Sequence, residues 1–242
     1  MLSPKGTVMT ARARWKELCV DTDGDDTLGR FYAVALGLDF EPDEDGAGGL
    51  TGDVEGKGIA MCKVPEAKTV KHRVHIDVVA ESIDDLVAKG ASVVLPAEES
   101  GMPWTVMTDP EGGEFCAFLR DHAPDYRFFQ LIVDSVNAHE IARWWADVFD
   151  ATPLSHFSDD WWAVEDIPGL PFTALTFGSV PEPKTVKNRI HWDVYGNVAD
   201  MQAAGATVLR ERDEDASAGS GQRIGWTVMA DPEGNEFCVF EK

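Results

Sequence analysis

Three shortages narrow the reading of this chain before any pattern is sought. Cysteine is scarce, with four among 242 residues and none in a C-x-x-C spacing. That argues against a disulfide frame and predicts reduced thiols in a cytosol. Apolar runs are short. No stretch approaches the ~20 residues of a membrane span, and Met1 to Trp15 holds no apolar run of signal-peptide length. The expectation is a cytoplasmic protein with no membrane partner. Basic residues are few, 21 against 43 acidic, for a net charge of −22. Phosphates need a basic surface, so nucleic acid is not an expected partner. An acidic surface favours solubility and is also compatible with a cationic ligand.

Two apparent motifs fail on spacing. Asp21, Asp23 and Asp25 suggest a calcium loop, but position six is Asp26 where glycine is needed and position twelve is Tyr32 rather than glutamate. The glycines from Gly46 to Gly58 do not form G-x-G-x-x-G and precede no helix pattern.

What the chain does have is itself, twice. Val64 to Val78 recurs as Val180 to Val194 with eleven of fifteen positions identical, and Trp104 to Phe118 recurs as Trp226 to Phe240 with twelve of fifteen. The expected domains are 12–120 and 126–242, joined near Pro124. The extra residues of the second copy fall in the Ser-, Gly- and Asp-rich segment Asp213 to Gly225, which reads as a mobile loop. Ala13 to Val20 reads as a strand. Leu28, Phe31, Tyr32 and Ala35 share one helix face, and Gly37 stops that helix. Asn137 caps a second helix bearing Ile141, Trp144, Trp145, Val148 and Phe149. Ser82 and Asn197 cap shorter helices. Each copy reads as strand–helix–strands, twice. The fold class is α+β: two tandem domains of paired βαβββ modules, with curved mixed sheets, outer helices and a concave face in each copy.

Strand alternation puts Val74, Ile76 and Val78 on one face of their strand, with His75 and Asp77 on the other. Ile190, Trp192 and Val194 stand against His191 and Asp193 in the same way. The polar face should line the concavity. Residues expected to bind a ligand are therefore His75, Asp77, Trp104, His191, Asp193 and Trp226. Phe157, Trp161, Trp162 and Phe172 add aromatic surface in the second copy. The alternative for the histidines is a structural one, held by Asp77 and Asp193, and for the tryptophans core packing. The repeated basic residues Lys68, Lys71 and Arg73, and Lys184, Lys187 and Arg189, either anchor an anionic group or pair with carboxylates in a structural crossover.

The order of elements, the Phe31-Tyr32 and Trp144-Trp145 helices, and the Asp-Pro-Glu-Gly-x-Glu-Phe-Cys turns at Asp109 and Asp231 resemble the vicinal oxygen chelate superfamily. That group holds glyoxalase I, extradiol dioxygenases, and the fosfomycin- and bleomycin-resistance proteins. The closest resemblance is to glyoxalase-like domains. It implies a metal site with Glu17, His75 and Cys116 as candidate ligands in the first copy, and Gln130, His191 and Cys238 in the second. These are not the His- and Glu-rich sets that iron, nickel or manganese take. The expectation is a binding protein for a small organic molecule, aromatic or cationic, with no tightly held metal and with an internal pseudo-dimer that leaves a homodimer open. The alternative is a metal-dependent lyase, isomerase or dioxygenase using His75 and Glu17. A catalytically inactive partner module is a third class.

Overall fold

The computed structural model describes residues 11–44, 47–155, 158–213 and 224–241. The first half runs β1 (Ala13–Thr22), α1 (Thr27–Leu36), β2 (Asp39–Glu41), β3 (Gly49–Thr51) and β4 (Ile59–Lys63), then β5 (Val74–Ala80), α2 (Ile83–Ala88), β6 (Ser92–Leu95), α3 (Ala97–Ser100), β7 (Thr105–Thr108) and β8 (Glu114–Leu119). The second half repeats this as β9 (Phe128–Ser135), α4 (Ala138–Phe149), β10 (Thr152–Ser155), β11 (Trp161–Glu165) and β12 (Ala174–Ser179), then β13 (Ile190–Gly196), α5 (Val198–Ala204), β14 (Thr207–Arg210), β15 (Thr227–Ala230) and β16 (Glu236–Phe240). Only the single-turn α3 goes beyond the sequence reading of the first half. Most of Asp213 to Gly225, and Phe157, lie outside the described residues. No described helix is long and apolar enough to cross a membrane.

The helices form where the periodicity places them. Leu28, Phe31, Tyr32 and Ala35 of α1 are all buried, and Gly37 ends the helix at φ 72°. That left-handed conformation favours glycine, and a Cβ there would collide with the Asp125 carbonyl. The Asn137 side chain accepts from the Glu140 N–H at the start of α4. Trp145 of α4 is fully buried and meets Trp192 of β13 edge-on at 5.1 Å, a geometry worth ~1 kcal/mol beyond the buried area.

The strands form two eight-stranded mixed sheets. The first has the order β14-β15-β16-β13-β1-β4-β3-β2, and the second β10-β11-β12-β9-β5-β8-β7-β6. The first sheet thus joins the first module of the first half to the last module of the second. The second sheet joins the two inner modules. The expectation of one concavity per copy is corrected here: each concave sheet takes one module from each half. A repeat cannot reveal this, because both pairings bury the same residues. The strands β5 and β13 do hold equivalent places. Each runs antiparallel to the first strand of the other half and parallel to the last strand of its own.

The crossovers carrying the repeated basic residues brace the two halves. Lys68 pairs with Glu114 at 3.0 Å, Lys71 with Asp134 at 2.8 Å, and Lys187 with Asp21. Arg73 donates to the Glu182 carbonyl, and Arg189 to that of Glu66. Of the two readings of this basic run, the paired structural crossover accounts for its geometry.

One expectation about cysteine is overturned. Cys19 and Cys62 are joined in a disulfide, while Cys116 and Cys238 are free and buried. The partners lie 43 residues apart in sequence. They meet because β1 and β4 are parallel neighbours, a pairing that no local spacing announces.

Candidate functional site

Two strand bulges shape the concave faces. On β1 the register with β13 shifts between Trp15 and Glu17, so Lys16 is left without a partner. On β9 the register with β5 skips Phe129 in the same way. A bulge turns an extra side chain toward one face. In the second sheet this brings Phe129 beside Gln130 on the concave side, and both line a cavity of about 570 Å³. In the first sheet it brings Lys16 beside Glu17.

The second-sheet cavity has aromatic walls and a polar end. Trp104 lies 5.4 Å from Phe118 and 6.4 Å from Trp161, and Phe118 lies 5.1 Å from Phe129. Trp161 fits because position 178 is glycine: a Cβ there would come within 2.8 Å of its ring. The polar end holds His75, Asp77, Cys116 and Gln130. Nε2 of His75 stands 3.4 Å from Oδ1 of Asp77 and 3.6 Å from the Cys116 sulfur. The Gln130 amide donates to Oδ2 of Asp77 at 2.8 Å and accepts from the Thr176 hydroxyl at 3.0 Å.

Burial governs the protonation of this cluster. Loss of water pushes the Asp77 carboxyl up to about 8, against hydrogen bonds from Gln130 and Cys116. It pulls the His75 imidazole down to about 3, helped by the Lys71 charge. It raises the Cys116 thiol far above its ordinary value, with the Asp77 charge adding to the rise. Near neutral pH the cluster is an uncharged imidazole, carboxyl and thiol.

The first-sheet cluster is built on His191, Asp193 and Cys238, and its surroundings differ. Lys16 reaches into it, bonding Glu17 and standing 3.5 Å from Asp193, with its ammonium 4.1 Å from the centre of the Phe240 ring. Burial raises Asp193 to about 6, opposed by the Lys16 charge, and lowers His191 to about 4. Trp226 stacks on Phe240 at 5.3 Å.

The sequence-derived residues therefore regroup. Glu17 does not meet His75 and Cys116, and Gln130 does not meet His191 and Cys238. The sheets exchange their strands: Gln130 on β9 joins the His75–Asp77–Cys116 cluster, and Glu17 on β1 stands in register with Asp193 of β13. Trp104 lines the cavity. Phe172 is core, stacked on Phe128 at 4.1 Å, and Trp162 packs against His139 of α4 at 4.1 Å. Trp161, read in the sequence as added aromatic surface, lines the cavity, whereas the sequence reading missed Phe129 in the lining and Gly178 behind the Trp161 ring. The signal present was the replacement of Lys16 by Phe129 and of Cys62 by Gly178 between copies.

The repeated turns have a structural task. Oδ1 of Asp109 accepts from the Glu111 and Gly113 N–H groups, and Oδ2 from the Tyr32 hydroxyl at 3.0 Å. Asp231 repeats this with Glu233, Asn235 and the Trp145 indole.

Modules of this kind, paired into two curved eight-stranded sheets with polar clusters on their concave faces, define the vicinal oxygen chelate class of fold. The model of the glyoxalase-like domain matches residues 17–118 and again 130–240, and the chain belongs to that family. Glyoxalase I from Zea mays is similar in structure, with a TM-score of 0.64 at 13% identity over 95% of this chain and 92% of that one. A putative dioxygenase from Bacillus subtilis gives 0.59 at 12% identity, covering 96% and 86%. The cppA protein from Streptococcus pneumoniae gives 0.50 at 10% identity, covering 96% and 100%. At such identities the likeness is one of fold. No curated protein matches the chain in sequence.

The fold family implies a divalent metal, and the donor atoms decide the fit. His75, Asp77 and Cys116 place their ligand atoms within 4.8 Å of one another, as do His191, Asp193 and Cys238. Manganese is a hard ion and iron(II) and nickel are borderline ones, and non-haem sites for all three draw mainly on imidazole and carboxylate oxygen. Here the last-strand position is a buried thiol in both sheets. Gln130 turns its amide N–H toward the cluster, and an ammonium already stands beside Asp193. These residues do not fit a hard divalent ion.

Proposed function

We propose that the chain binds a small planar organic molecule in the cavity of the second sheet and does so without a tightly held metal. The observation that carries this reading is the slot between Trp104, Phe129 and Trp161, which ends on the His75–Asp77–Cys116 cluster. Aromatic contacts on a flat ligand contribute ~1 kcal/mol each beyond area burial. The cavity volume suits a small ligand. In this reading nucleic acid and membranes are not partners, the protein is cytoplasmic, and the first sheet is structural.

A second reading, a metal-dependent lyase, isomerase or dioxygenase, draws on the convergence of three potential ligand atoms at each cluster. The chemistry of those atoms opposes it, since each thiol would have to lose a proton that burial holds in place. One pair of measurements separates the readings: metal content of the purified protein by elemental mass spectrometry, and thermal-shift screening against a broad set of flat aromatic compounds. Metal well below one equivalent with a stabilising aromatic hit supports the binding protein. Stoichiometric iron, nickel or manganese that is lost in His75→Ala would support the enzyme.

A further inference from the structure

The two concave sites share a frame, and their contents differ in a concerted way. In the first sheet, Lys16 and Glu17 form an ion pair beside Phe240 and Asp193. In the second, Phe129 stands at the bulge in place of Lys16, and Gln130 stands in place of Glu17. Phe129 packs on Phe118, the counterpart of Phe240, at 5.1 Å. The Gln130 amide serves Asp77 at 2.8 Å, where an ammonium serves Asp193. Either charge alone at these half-buried positions would stand without its partner. Loss of both leaves a neutral wall.

Most ionic groups around the cavity are paired. Lys71 pairs with Asp134 and Lys68 with Glu114. Arg120 is exposed at the rim, reaches the Phe118 ring only at 5.9 Å and donates to the Leu119 carbonyl. Glu165 is engaged as well. A cation would shed its hydration here without gaining a free counter-charge, and an anion would meet one only at the solvated rim, at Arg120, away from the polar end. A flat neutral body meets the walls at no such cost. At the polar end the lining holds an imidazole, a carboxyl and an amide, from His75, Asp77 and Gln130, a set that offers both donors and acceptors to an uncharged polar group.

We propose that the second-sheet cavity takes an uncharged aromatic molecule bearing a carboxamide-like group, and that Phe129 and Gln130 determine this selectivity. The inference rests on reading that cavity as the ligand site. It is tested by calorimetric titration of the full chain at neutral pH with three isosteric probes: 2-naphthamide, 2-naphthoate and 2-naphthylmethylammonium. The expected result is an amide bound at least tenfold more tightly than either ion. Gln130→Glu, which changes one atom and keeps the shape, should shift the preference at least tenfold toward the ammonium. Phe129→Lys should abolish amide binding while its circular-dichroism melt stays cooperative; if it does not fold, Gln130→Glu decides alone. An ion that binds wild type as tightly as the amide overturns the proposal, as does an unchanged order in Gln130→Glu. If an ion alone binds, and Trp104→Ala abolishes that binding, the ligand site stands and the charge inference falls. If none of the three binds, the inference falls, and the broader aromatic screen judges the site.

Discussion

At the scale of single residues, what decides the site is that Phe129 and Gln130 stand uncharged where the other sheet carries Lys16 and Glu17. Alternation made His75 and Asp77 legible as neighbours on one strand face. It could not show that Phe129 joins them, because a bulge breaks the alternation that the reading relies on. Nor could it show that Gly178 makes room for the Trp161 ring. The shifted groups give two opposite pH predictions. Asp77 is raised from 3.8 to about 8 on folding. Between those values the native state holds a proton that the unfolded state has lost, so wild type weakens as pH rises. Relative to Asp77→Asn, its stability should therefore fall from pH 5 to pH 8. His191 is lowered from 6.5 to about 4. Between those values the unfolded state holds the extra proton, so wild type should lose stability relative to His191→Asn as pH falls from 6.5 to 4. Each slope is bounded by about 1.4 kcal/mol per pH unit. Urea midpoints across this range check both signs, and parallel curves for wild type and variant would contradict the assigned protonation.

At the scale of elements, most of the fold was readable. The caps at Ser82, Asn137 and Asn197, the stop at Gly37 and the strand begun at Ala13 all stand where turn chemistry and periodicity place them. The repeated Asp-Pro-Glu-Gly turns were legible as a signature but not as a clamp. Asp109 is 5% exposed and gathers three donors from its own turn and from Tyr32 of α1. Asp109→Ala strands those donors inside the protein, which costs about 1–3 kcal/mol per unsatisfied buried group in the worst case. An expected loss of roughly 3 kcal/mol should appear as a lower urea midpoint. Asp109→Asn, which keeps an acceptor for the turn, should cost less. Equal losses for the two variants would mean that the carboxylate geometry is not what ties α1 to the β7–β8 turn.

At the scale of the whole molecule, the duplication builds its sheets across the two halves. That pairing was illegible because the repeat gives β5 and β13 the same faces, and only the tertiary arrangement selects β9 and β1 as their partners. The disulfide was hidden for the same reason, since Cys19 and Cys62 are joined by strand pairing. A chain ending at Arg120 would leave β1 and β5 without those partners. On size-exclusion chromatography it should dimerise or precipitate, whereas a monomeric fragment with a cooperative melt would contradict the shared sheets. The two concave faces differ: one carries Lys16 and its ion pair beside Asp193, and the other a cavity between aromatic walls. Tryptophan fluorescence tests that asymmetry most directly. Titration with an aromatic ligand found by screening should quench wild type, keep its affinity in Trp226→Ala and lose it in Trp104→Ala. Affinity lost in Trp226→Ala and kept in Trp104→Ala would contradict the account.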